Sequence, residues 1–250
     1  MTTIPIDPAL VTAFALALVR ASAWLFISPP FNNRMIPIPV KMGVAAALAL
    51  AAAPHVVDPA LPMDTGSFIV TLITQAMIGF VMGFFTLILV QVVTAAGSLI
   101  DLFAGYSLAA IYDPFSEAQT SIFGRFYQLV AATLLFTTNA HLILVNGFFR
   151  SFEAVPVGGL PSGDIASVLT DNVGQFLVAA LEVAGPVIAC LFLTEVTLGL
   201  LTRAAPNLNV FALAFPLRVV VALGIVAIAL PLVAPALENL VNEAVAPFGG

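Results

Sequence analysis

Residues 68–100 read FIVTLITQAMIGFVMGFFTLILVQVVTAAGSLI, an unbroken run with neither a proline nor a charged side chain. A strand needs only five or six residues, and a helix crosses the hydrocarbon core of a bilayer in about 20. A run of this length is therefore a helix that exceeds one hydrocarbon thickness, and it must extend beyond the membrane or bend. Similar segments lie on both sides of it. Leu10–Ser28 ends at Pro29 and Pro30, whose missing amide donors stop a helix. Val40–Ala53 is alanine-rich and only about fourteen residues long before Pro54, short for a span. Phe126–Phe149, Val173–Leu201 and Phe211–Leu237 complete six expected helices, with Pro216 and Pro231 bending the last.

Composition agrees with that reading. Hydrophobic residues make up 61% and charged residues 8% of the 250, with a mean hydropathy of +1.13, against about 25% charged residues in soluble domains. The expected fold class is an all-α integral membrane protein of about six apolar helices. The net charge of −6 comes without a basic cluster, which argues against nucleic acid as a partner and leaves membrane lipid as the surrounding medium. Cys190, the single cysteine, excludes an internal disulfide. The first positive charge, Arg20, lies inside the first apolar segment, so that segment reads as a span and not as a cleaved signal. With the N-terminus outside, Arg34, Lys41, Arg125 and Arg203 fall in the first, third and fifth connections and Arg150 alone in an outward one. The positive-inside rule then puts both termini on the non-cytoplasmic side.

Few residues suggest chemistry. Arg20 sits midway along the first span, where an ionised side chain costs about 2.5 to 3.5 kcal/mol on insertion scales and must find a partner. Glu182 and Glu195 in the fifth span are the expected partners. Either a relay or a structural pair would use them, but thirteen residues place the two acids on different helix faces, against a single ion path. Gly79 and Gly83 form a small-xxx-small step suited to close helix packing. Met77 and Met82 read as core. His55 and His141 lack companions at metal-ligand spacing, and no nucleophile, nucleotide or zinc-protease motif stands in a fitting context. No catalytic residue, metal or cofactor is expected. The connection from Asp101 to Arg125 differs from a solvent loop: it carries Phe103, Tyr106, Leu108, Ile111, Tyr112 and Phe115, with Gly105, Asp113 and Pro114 supplying turn chemistry. Irregular backbone this apolar belongs inside protein or a cavity. It is either a loop that closes a pore or a re-entrant packing segment.

In order along the chain, Arg20, Ser28–Pro29–Pro30–Phe31, Ile36–Pro37–Ile38–Pro39–Val40–Lys41, Ala96–Gly97–Ser98–Leu99–Ile100–Asp101, Gly105–Tyr106–Ser107, Asp113–Pro114 and Ser151–Phe152 resemble the FliR family of flagellar export-gate membrane proteins. The run from Glu195 through Arg203 into Pro206, Asn207, Leu208, Asn209, Val210 and Phe211 is similar to that family's most distinctive stretch. Two departures stand out. Asn139-Ala140-His141-Leu142 replaces the commoner Asn-Gly-His-His, and Pro206-Asn207 replaces proline-glutamine.

The resemblance implies a non-enzymatic subunit of a type III protein export gate in the bacterial inner membrane and flagellar basal body. It also implies assembly with FliP-like and FliQ-like subunits, contact with an FlhB-like subunit, and passage of unfolded export polypeptides. A FliP-like portion over 1–172, a FliQ-like helical hairpin over 173–250, bent helical hairpins and a plug over about Gly105–Glu117 are implied likewise. A virulence-type injection-gate homologue is the nearest alternative. A small-solute secondary transporter is the more distant one, and its cue, an internal inverted repeat, is not evident.

Overall fold

The structure, a computed structural model, describes residues 7–29, 31–32, 36–57, 64–106, 121–157, 165–205 and 209–245. Among them are seven helices and no strand: α1 Pro8–Ile27, α2 Ile38–Val56, α3 Thr65–Ala104, α4 Ile122–Thr137, α5 Ala140–Ala154, α6 Ile165–Ala204 and α7 Val210–Val245. Local chemistry fixes the ends. The Asp7 carboxylate accepts from the Ala9 amide at 2.9 Å with Pro8 in the first turn of α1, and Asp64 accepts from the Gly66 and Ser67 amides to start α3. Hydroxyls inside the helices turn back on their own backbone, as Thr71 does to Ser67, Thr94 to Val90 and Thr194 to Cys190. That leaves no polar group facing an apolar medium unsatisfied at those positions.

Helix α3 is 40 residues long, about 60 Å at 1.5 Å per residue, twice a hydrocarbon core. Two expectations need correction. Helix α2 does not stop before Pro54 but runs 19 residues to Val56. Pro54 stands in the last turn, where its missing amide frees only the Leu50 carbonyl, and the buried Ala52, Ala53 and Val56 hold that turn in place. The single fourth span is instead two helices, α4 and α5. Thr138 closes α4 by donating from its amide and its hydroxyl to the Leu134 carbonyl, and Asn139 takes a left-handed φ of 61° that ends the helix.

Among the described residues five helices are long and apolar enough to cross a membrane, and the broken pair α4–α5 makes a sixth if it acts as one span. The chain divides into two compact units, one of Met1–Ile88, Ala140–Thr170 and Val241–Gly250, the other of Leu89–Asn139 and Asp171–Leu240. In the first, α1 packs on α3 through glycine. A Cβ on Gly79 would lie 2.9 Å from the Ala23 Cβ, and one on Gly83 would lie 2.9 Å from the Ile27 Cβ, so the two backbones approach as closely as small residues allow. Trp24 of α1 stacks on Phe148 of α5 with ring centroids 5.4 Å apart and donates to the Thr86 hydroxyl of α3 at 3.3 Å.

Candidate functional site

Two polar clusters stand out from the apolar helices, one in each unit. In the first unit Arg20 is fully buried. Its Nε donates to Gln75 Oε1 at 2.7 Å, Nη1 to the Ser151 carbonyl at 2.8 Å and the Ser151 hydroxyl at 3.0 Å, and Nη2 to the Val155 carbonyl at 2.9 Å. The guanidinium carbon lies 4.0 Å from the centre of the Phe152 ring. Four neutral oxygens and an aromatic face thus take the place of a counter-ion. The expected pairing with a fifth-span acid is not the one made. Neutral carbonyls at the end of α5 are available without desolvating a carboxylate, and that second desolvation is what makes buried ion pairs expensive.

The two acids are not buried either. Glu182 is exposed, and Glu195 is 57% exposed and accepts both its contacts from Arg218 Nη2, at 2.7 and 2.6 Å. Arg218 was not singled out from sequence, although the spacing held a signal: Glu195 and Arg218 are equally distant from Pro206 and Asn207. Antiparallel pairing of the flanking helices α6 and α7 brings Glu195 and Arg218 level. Gln75 and Ser151 were missed for a different reason, since nothing in sequence distinguishes them from other polar residues in spans.

In the second unit the candidate is the base of the third connection. Helix α3 ends in a Schellman motif: Gly105 has φ +86°, its amide donates to the Leu102 carbonyl at 3.3 Å, and the Tyr106 amide donates to the Asp101 carbonyl at 3.0 Å. Glycine supplies the left-handed backbone that other residues resist. Asp101, 4% exposed, then reaches the start of α4. Its carboxylate accepts from the Phe123 amide at 3.1 and 3.2 Å and from the Ser121 hydroxyl. Ser121 in turn accepts from the Gly124 amide at 2.8 Å. Two of the four unpaired amides at the head of α4 are thereby satisfied, and a negative charge sits at the positive end of that helix.

Gly97 allows the contact, because a Cβ there would come within 2.7 Å of the Gly124 amide nitrogen. Tyr106 packs edge-on against Phe123 and Phe215, with centroids 5.9 and 5.8 Å away. The remaining expected plug residues, Leu108, Ile111, Tyr112, Asp113, Pro114 and Phe115, lie outside the described residues, as do Pro206 and Asn207. Asn209 caps α7, its side chain and carbonyl both accepting from the Ala212 amide, and Phe211 lies in the first turn of α7.

Long apolar helices, an internally saturated guanidinium and an apolar connection tied at its base define a polytopic helical membrane protein. A family model described as bacterial export proteins, family 1, matches residues 11–244, and the chain belongs to that family. It is 31% identical to the flagellar biosynthetic protein FliR of Escherichia coli (strain K12), over 90% of this chain and 87% of that protein. Identity to FliR of Bacillus subtilis (strain 168) is also 31%, over 84% and 82%. Yop proteins translocation protein T of Yersinia pestis is 28% identical over the same shares.

Proposed function

We propose that this bacterial export protein is a non-enzymatic core subunit of the flagellar type III export gate, lining the path of unfolded polypeptides and plugging it with its third connection. The observation that carries the reading is the base of that connection. Asp101 binds Ser121 and Phe123, so an apolar segment starting at Tyr106 leaves and returns through one fixed point. An apolar stopper on a rigid base would block ions by bulk and dewetting. In this reading the chain lies in the bacterial inner membrane within the basal body, with both termini non-cytoplasmic. Its partners are FliP-like, FliQ-like and FlhB-like subunits, and residues 173–250 form the FliQ-like hairpin beside a FliP-like 1–172.

The family match and two FliR proteins at 31% identity support a type III export-gate subunit, and the Yop translocation protein at 28% is the relative that an injection-gate version would resemble. The test is purification from native membranes in mild detergent, with complementation of a strain lacking its FliR. The expected result is copurification of FliP-like and FliQ-like chains and restored filaments. A clean monomer that moves a small solute in liposomes would sink the proposal in favour of a transporter.

A further inference from the structure

Near the ends of the long apolar helices the side chains of Lys41, Arg203, Glu238 and Glu243 make no hydrogen bond or ion pair among the described residues, but deeper in those helices the described charges are met, Glu182 excepted. Arg20 is saturated by four oxygens, and Glu195 has Arg218. Glu182 lies in the apolar stretch Phe176–Ala204 of α6, is exposed, and makes neither a hydrogen bond nor an ion pair among the described residues. Its surroundings are apolar and also exposed: Leu177, Val178 and Leu181 are 68%, 54% and 50% accessible. A carboxylate on such a face is unfavourable in hydrocarbon and has to be met by protein or water.

A second feature of the backbone falls at the same residue. Pro186 stands inside α6 and has no amide, so the carbonyl of Glu182, four residues earlier, lacks its helical donor. Carboxylate and carbonyl therefore belong to one residue: the carboxylate has no donor among the described residues, and the carbonyl has lost the amide that would ordinarily meet it in the helix. Along the same face, Gly185 has open space where a Cβ would be, and Pro186 and Ala189 are exposed. Small residues at that spacing let another helix come close.

We infer that Glu182 and its carbonyl receive a lysine or arginine from an apolar helix of another membrane subunit. The proposal rests on the export-gate reading for its partner and on charge complementarity for the partner's chemistry. A second copy of this chain fits less well. Its exposed arginines among the described residues, Arg125, Arg150 and Arg203, sit near helix ends, whereas Glu182 has exposed apolar side chains before and after it.

The experiment co-produces the full chain with the other membrane subunits of its export apparatus and measures assembled complex by native mass spectrometry. The abundance of the chain produced alone in membranes serves as the control for insertion. Glu182→Gln and Glu182→Leu are expected to lower assembled complex about tenfold or more, as removal of one member of a desolvated charge pair does, with insertion unchanged or, for leucine, raised. Glu182→Lys is expected to regain assembly when one partner lysine or arginine is exchanged for glutamate. Wild-type assembly by Glu182→Leu would place this face against lipid and overturn the inference, as would a loss that no partner exchange rescues. A wild-type chain that brings down no other membrane subunit would overturn the export-gate reading as well, so the two failures are distinguishable.

Discussion

At Arg20 a buried guanidinium is held by Gln75, Ser151, Val155 and Phe152, drawn from α3, α5 and the residue just past α5. Removing it strands several buried acceptors together, each worth about 1 to 3 kcal/mol when left unsatisfied. Arg20→Ala is expected to destabilise the chain by roughly 3 kcal/mol or more, with Arg20→Lys intermediate because an ammonium lacks the planar fork. Thermal unfolding in detergent checks this, and an unchanged midpoint for Arg20→Ala would mean the cradle stabilises nothing. That Arg20 needed partners was legible from its position in an apolar run. Which partners was not, because a carbonyl is present at every residue and the sequence does not show which ones are free. Glu195 and Arg218 show the converse: two charges equally far from the junction of two consecutive apolar helices carry their pairing in their spacing.

Elements were easiest to read where length alone decided. The run 68–100 could only be a helix, and α3 extends it at both ends to Thr65 and Ala104. Breaks were harder. Pro54 lies inside a helix because it falls in the last turn, while Asn139, with no proline nearby, ends one through its left-handed backbone. Contact between elements turns on particular small residues. Gly79→Ala would press a methyl into Ala23 and the Arg20 backbone, and an overpacked contact of this kind costs about 1 to 3 kcal/mol. Gly224→Ala, with no atom within 4 Å of the added carbon, is expected to be neutral. Detergent unfolding midpoints of the two variants test the difference, and equal midpoints would show that the α1–α3 approach tolerates a wider gap.

For the whole molecule, removing residues 106–115 is expected to raise ion conductance through the assembled gate, measured in planar bilayers. Conductance equal to wild type would take the stopper out of the mechanism. Two of the segment's expected residues, Gly105 and Tyr106, are fixed by the fold. The rest were legible only as an apolar composition, which shows that a segment avoids water without showing what it touches. The knot formed by Asp101, Ser121 and Phe123 has one further consequence. Fourteen residues, 107–120, separate Tyr106 from Ser121, and at about 3.5 Å per residue a chain of that length can reach out and back by no more than about 25 Å. In the proposed plug reading, any displacement that clears a passage must fit inside that radius, so a wider opening would require the flanking helices themselves to part.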